Sequence, residues 1–174
     1  MVSLTIETTG TMLVGSEIAA AVNALRSYPI FSLGLNCATG PKEMTSHIEY
    51  LSANWPRRIS CVPNAGLPVL VDGQAHFPLK PEPLAETVGE FIERYGIDVI
   101  GGCCGTGPGH IELLVEQSRQ QQRPRRDVSG WTPGCCSLYA PRDYRQENSF
   151  FIVGERMNAS GSRKFKRLLE AGDL

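Results

Sequence analysis

No apolar run in this chain approaches the roughly 20 residues that a membrane-spanning helix requires. The first residues also lack the basic-then-apolar pattern of a secretory signal. Both absences point to a cytoplasmic protein with no membrane partner. Histidine is scarce, with three residues, of which His47 and His76 show no obvious partner. His110 follows Pro108-Gly109 at an expected helix start, where packing or capping suits it better than metal binding. Net charge is nearly absent, at −1, yet it is unevenly spread. Residues 1–118 carry 6 basic and 12 acidic groups, whereas residues 119–174 carry 11 and 6, which suggests a boundary near residue 120. The arginine-rich stretch from Arg119 to Arg126 has no interleaved aromatics, so it reads as a solvated linker and not as a nucleic-acid surface.

What is present in unusual number is cysteine. Six cysteines without an export signal point toward thiol chemistry or metal ligation, because reducing compartments do not maintain structural disulfides. A hydrophobic share of 41% in 174 residues is enough to bury a core of one domain, or of one domain and a stub.

Short apolar runs alternate with helix-period segments four times, the pattern of β/α units in a parallel sheet. The expected strands are 3–7, 30–37, 58–62 and 98–102. The expected helices are 16–26, one opening at Pro41 with Met44, Ile48 and Leu51 on one face, 83–95 with Leu84, Val88, Phe91 and Ile92 along a stripe that stops at Gly96, and 110–120. Four units in about 120 residues are half of a (β/α)8 TIM barrel. Residues 123–148 turn polar and rich in Pro, Arg and Gly. Residues 150–153 then read as a strand, followed by a turn into a helix carrying Phe165, Leu168 and Leu169. The expected domains are therefore 1–122, a linker over 123–148, and the start of a second domain over 149–174.

In β/α barrels the chemistry sits at the carboxyl ends of the strands. Cys37, Asn64, Cys103 and Cys104 would share that rim. Adjacent side chains on a regular strand point to opposite faces, so Cys103 and Cys104 need a departure from the pleat, which Gly101, Gly102 and Gly105 are placed to allow. Three thiolates would leave one tetrahedral position of a Zn²⁺ open for a substrate ligand, and a thiol in that position would be held ionised as a nucleophile. The plainer alternative is that each cysteine is a small core hydrophobe, which suits Cys61 in mid-strand. A four-cysteine structural zinc built with Cys135 and Cys136 is a further alternative, but neither pair has the usual spaced ligand pattern.

The segments Gly34-Leu-Asn-Cys37, Pro63-Asn-Ala-Gly-Leu-Pro68 and Gly101-Gly-Cys-Cys-Gly-Thr106 resemble, in this order and at these intervals, the homocysteine-binding domain of cobalamin-dependent methionine synthases. Val153-Gly-Glu-Arg-Met-Asn-Ala-Ser-Gly-Ser162 resembles the opening of the pterin-binding domain of the same family. The resemblance implies the last four β/α units of one partial barrel, then a linker and the first β/α unit of a second. It implies Cys37, Cys103 and Cys104 as zinc ligands acting in catalysis through the metal, Asn64 as an occupant of the fourth position, and Asn158 at the folate site. It further implies homocysteine as substrate, held as a zinc thiolate that attacks methylcobalamin to give methionine and cob(I)alamin, with 5-methyltetrahydrofolate as the methyl source. The family's first four homocysteine-barrel strands, the rest of its pterin barrel and its cobalamin-binding and reactivation domains have no counterpart here, so the missing barrel half and the remaining enzyme domains become expected partners. Met157 stands where the family usually has threonine. Competing readings are a cobalamin-independent homocysteine methyltransferase using betaine or S-methylmethionine, an inactive half-barrel with exposed edge strands, and a redox switch formed by the vicinal thiols.

Overall fold

β1 (Val2–Leu4) leads through α1 (Ile18–Leu25) to β2 (Ser32–Asn36), and α2 (Pro41–Asn54) leads on to β3 (Arg58–Val62). A short hairpin, β4 (Val69–Val71) and β5 (Gln74–His76), precedes α3 (Pro81–Tyr95), β6 (Val99–Ile100) and α4 (Pro108–Gln120). A second hairpin, β7 (Gly134–Cys136) and β8 (Pro141–Asp143), and the helix α5 (Arg163–Ala171) complete the elements of this computed structural model, which describes residues 1–128, 131–152 and 158–173.

The main sheet has the order β1-β2-β3-β6 with every pairing parallel. Sequential order of this kind follows from right-handed β-α-β crossovers repeated in one direction, and the helices pack in the same succession, α1 on α2, α2 on α3, α3 on α4. Register explains the core. It sets Val2 beside Leu33 beside Ile59, and Leu4 beside Leu35 beside Cys61, so one face of the sheet is apolar. Alternate positions Ser3, Gly34 and Ser60 form the other face, which is small and polar.

Helix faces complete that core. Met44, Ile48 and Leu51 of α2, and Leu84, Val88, Phe91 and Ile92 of α3, are all buried in one cluster with the strand residues, each worth about 2 kcal/mol of burial. Pro41 and Pro81 open their helices at the first turn, where the missing N–H costs nothing. Gly96 closes α3 in the left-handed conformation at φ 63°, with its N–H donating to the Ile92 carbonyl.

Several regions differ from the sequence reading. The hairpin β4–β5 turns through Asp72 and Gly73, both at positive φ, and the Asp-Gly pair between apolar runs is its local signal. Residues 123–143 belong to the same compact unit as the sheet: the units are Met1–Asp143 and Tyr144–Leu174. The supposedly solvated arginine stretch is partly buried. Arg126 donates to the Trp55 carbonyl at 2.8 Å and the Arg57 carbonyl at 2.5 Å, and Asp98 pairs with Arg123. β7–β8 packs on α1, with the Asn23 amide donating to the Cys135 carbonyl at 2.7 Å and Arg26 over the Trp131 ring.

In the second unit, residues 150–152 form no strand, since no described segment pairs with them, and Val153 lies outside the described residues. α5 forms as the spacing predicts, with the Ser162 hydroxyl accepting from the Phe165 N–H. No helix among the described residues is long and apolar enough to cross a membrane.

Candidate metal centre

The rim at the carboxyl ends of β2, β3 and β6 collects Cys37, Asn64, Cys103 and Cys104. β2 ends at Asn36, and its last ladder bond runs from the Cys37 N–H to the Val62 carbonyl at 3.1 Å. Cys37 and Ala38 then both take left-handed backbone, at φ 60° and 58°. Neither is glycine, and each such residue costs about 1 kcal/mol or more. This reversal turns the Cys37 thiol out of the sheet and toward β6.

Cys103 and Cys104 do not lie on a strand at all. β6 stops at Ile100, so the difficulty of two adjacent side chains on one pleat does not arise. Their loop is fastened by the main chain: Cys103 N–H to the Pro63 carbonyl at 2.8 Å, Ala65 N–H to the Cys104 carbonyl at 2.9 Å, and Thr106, through N–H and hydroxyl, to the Cys103 carbonyl. Of the three glycines expected to bend it, Gly105 alone is left-handed, at φ 77°. Gly102 is required for space, since a Cβ there would meet the Thr106 side chain at 2.5 Å, whereas Gly101 has ordinary room.

The three sulfurs lie within 4.8 Å of one another, the single such grouping of potential ligands among the described residues. Cys37 Sγ is 3.7 Å from Cys104 Sγ, and Cys103 Sγ is 3.9 Å from it. Two thiolates on one tetrahedral Zn²⁺ at about 2.3 Å would stand about 3.8 Å apart. Both separations with Cys104 suit thiolates that share a zinc ion. Asn64 is buried beneath them. Its Oδ1 accepts from the Cys104 N–H at 3.1 Å, and its side chain also reaches the Cys37 thiol.

Electrostatics at the rim are those of acids sharing a site. The Ala38 N–H, opposed by burial and aided by Cys104, Cys103 and Asn64, holds the Cys37 thiol below its ordinary value. Cys104, hydrogen-bonded to Cys37 and Cys103, is pushed up to about 11. The cluster thus accepts one negative charge readily and resists a second, an imbalance that a divalent cation removes.

The remaining cysteines stand apart. Cys61 is buried, 3.9 Å from the Met44 sulfur, and burial raises its thiol to about 12, as suits a core residue. Cys135 and Cys136 sit in β7 and do not join the rim grouping, so a four-cysteine site is not formed. His110 caps α4 from its third position, with Nδ1 accepting the Gly107 N–H at 3.2 Å. Asn158 lies in the second unit, exposed, its Oδ1 accepting from the Ser160 N–H at 2.8 Å.

Among known families, the sequence model described as "Homocysteine S-methyltransferase" matches residues 1–118. The chain belongs to that family. The matched span contains all three rim cysteines and ends within α4. Similarity to individual members of longer architecture runs further: the chain is 45% identical over 170 residues to "Methionine synthase" of Mycobacterium tuberculosis, covering 98% of this chain and 14% of that protein. It is 44% identical over 177 residues to "Methionine synthase" of Mycobacterium leprae, covering 99% of this chain and 15% of that protein. The chain therefore spans about one-seventh of the length of these relatives.

Proposed function

We propose that Cys37, Cys103 and Cys104 hold a zinc ion and that this part of the homocysteine S-methyltransferase fold activates the thiol of homocysteine for methylation to methionine. The convergence of the three sulfurs, drawn from the ends of two strands at separations that suit one tetrahedral ion, carries the reading. When bound, the ion supplies the positive charge that keeps a substrate thiol ionised at neutral pH.

The chain's own residues prepare for that charge. Ala38 and Asn64 direct hydrogen bonds at Cys37 and favour its thiolate. Asn64, by accepting from the Cys104 N–H, fixes the loop that carries the other two sulfurs, and its position under the cluster is the basis for giving it the fourth ligand position when no substrate is present. The strained Cys37–Ala38 turn and the exposed Cys104 side chain leave the cluster open above the rim.

In this reading, residues 1–122 are the last four β/α units of a homocysteine barrel, 123–148 lead onward with their first part packed on that unit, and 149–174 begin a pterin barrel to which Asn158 contributes. Methylcobalamin is the methyl donor, itself supplied from 5-methyltetrahydrofolate, and the missing barrel half and remaining domains are partners. Support for the cobalamin and folate part comes from the similarity to methionine synthases, which extends beyond residue 118 through nearly the whole chain. The test is zinc content on freshly purified, reduced protein, comparing the unaltered chain with Cys103→Ala. One zinc per chain, lost in the variant, is expected. A folded, soluble, unaltered chain that takes up no zinc would end the proposal.

A further inference from the structure

We propose that His110 is a positioning residue of the thiol site, the one side chain in an otherwise main-chain ring of hydrogen bonds that fixes the Cys103–Cys104 loop. The inference rests on the zinc-thiolate reading above. His110 lies six residues beyond Cys104 and does not touch a sulfur, so its effect on the site would pass through the backbone.

The ring can be traced bond by bond. Ala65 N–H donates to the Cys104 carbonyl at 2.9 Å, and Leu79 N–H donates to the Ala65 carbonyl at 2.9 Å. His110 Nε2 then lies 3.0 Å from the Leu79 carbonyl, and His110 Nδ1 accepts the Gly107 N–H at 3.2 Å. Gly107 is three residues from Cys104, which closes the circuit. The two contacts assign the tautomer: Nδ1 is engaged as an acceptor, so Nε2 carries the hydrogen that the Leu79 carbonyl requires. A neutral imidazole accepts at one end and donates at the other, and the ring needs both.

Packing makes the same connection. A Cβ at Gly105 would fall 2.2 Å from the Phe77 side chain, so the thiol loop and the segment leaving β5 are in direct contact. The packing of α3 on α4 already brings that segment near the start of α4, and His110 adds the directed hydrogen bonds that tie the two at the thiol loop. Groups behind metal ligands that fix their orientation typically govern affinity by about 10- to 100-fold.

Substitutions separate this role from simple helix capping. His110→Gln keeps an acceptor for Gly107 and a donor for Leu79. His110→Glu keeps the cap, since glutamate suits that helix position, but places a carboxylate against the Leu79 carbonyl. Leu114→Ala, in the buried face of α4, loosens the packing of that helix on the core without touching the ring. The experiment uses the full chain loaded with zinc and follows transfer of the metal to a chromophoric chelator, with thermal unfolding of each metal-free variant alongside. Amide hydrogen exchange at Ala65 and Leu79 in the metal-free state reports the ring itself.

Zinc release about 10-fold faster in His110→Glu, near-normal release in His110→Gln and in Leu114→Ala, and faster exchange at Ala65 and Leu79 in the glutamate variant alone are expected. Release from His110→Glu that matches the unaltered chain, or that Leu114→Ala reproduces in proportion to lost stability, overturns the positioning role while leaving the zinc site standing. An unaltered chain that binds no zinc overturns both.

Discussion

The two ends of the parallel sheet solve opposite electrostatic problems. At the end where the strands begin, Asp98 accepts from the Ile59 N–H at 2.9 Å, returns its own N–H to the Ile59 carbonyl, and faces Arg123 and Arg126. Arg126 in turn donates to the carbonyls of Trp55 and Arg57, and Trp55 is fully buried. Opposite charges and satisfied carbonyls tie that end together. At the other end, three thiols crowd together, one favouring ionisation and another resisting it, above two non-glycine residues in left-handed backbone. One end is held by charge pairs and hydrogen bonds already present. The other gathers three thiols of unequal acidity at the strand ends, the arrangement expected where chemistry and not stability has shaped the residues.

If that division holds, metal and stability can be removed separately. Cys37→Ala is expected to reduce zinc from one per chain to near none, while the metal-free protein unfolds within about 1 kcal/mol of the unaltered chain in urea. Asp98→Ala should do the reverse. It leaves the Ile59 N–H and a half-buried Arg126 without their carboxylate, a loss of about 3 kcal/mol once the exposure of Arg123 is allowed for. Zinc per folded chain should be unchanged. Loss of zinc from folded Asp98→Ala protein would show that the ends are coupled.

Acid–base behaviour sharpens the contrast within the rim. In metal-free protein, the depressed Cys37 thiol is ionised at lower pH than an ordinary cysteine, whereas Cys104, at about 11, is about one-thousandth thiolate at pH 8. Alkylation followed by peptide mass spectrometry should label Cys37 before Cys104 as pH rises. Equal labelling of the two at pH 8 would contradict the hydrogen-bond order described for the cluster. Zinc should protect both.

The sequence made the rim legible because the parallel β/α pattern predicts which residues end strands, and register did the rest. Cys37, Asn64, Cys103 and Cys104 needed no side-chain detail to be grouped. The base was not legible. Its key carboxylate, Asp98, lies one residue before β6, and its arginines lie in a stretch whose polar composition resembles any solvated linker. Only the fold brings Arg123 and Arg126 back across the strand starts. The hairpin β7–β8 escaped for a similar reason, since three-residue strands carry too few positions to show a period of two. His110 was placed correctly as a capping residue, but its second partner, the Leu79 carbonyl, is 31 positions away and leaves no local mark.

The reversal at Cys37 and Ala38 is the clearest case of structure without a local signal, and it yields the smallest and most discriminating test. Nothing in Asn-Cys-Ala-Thr favours positive φ, yet both central residues adopt it. Glycine at position 38 would relieve about 1 kcal/mol of steric strain but would also loosen the unfolded chain by roughly 0.5 kcal/mol. A net gain of about 0.5 kcal/mol is expected for Ala38→Gly. In α1 the same replacement, Ala21→Gly, should instead cost about 1 kcal/mol, because helical backbone offers glycine no relief. Opposite signs in parallel denaturation curves would confirm that the rim holds strain. A loss at both positions would mean that Ala38 is unstrained, and that the Cys37 thiol is turned toward β6 by the loop bonds alone.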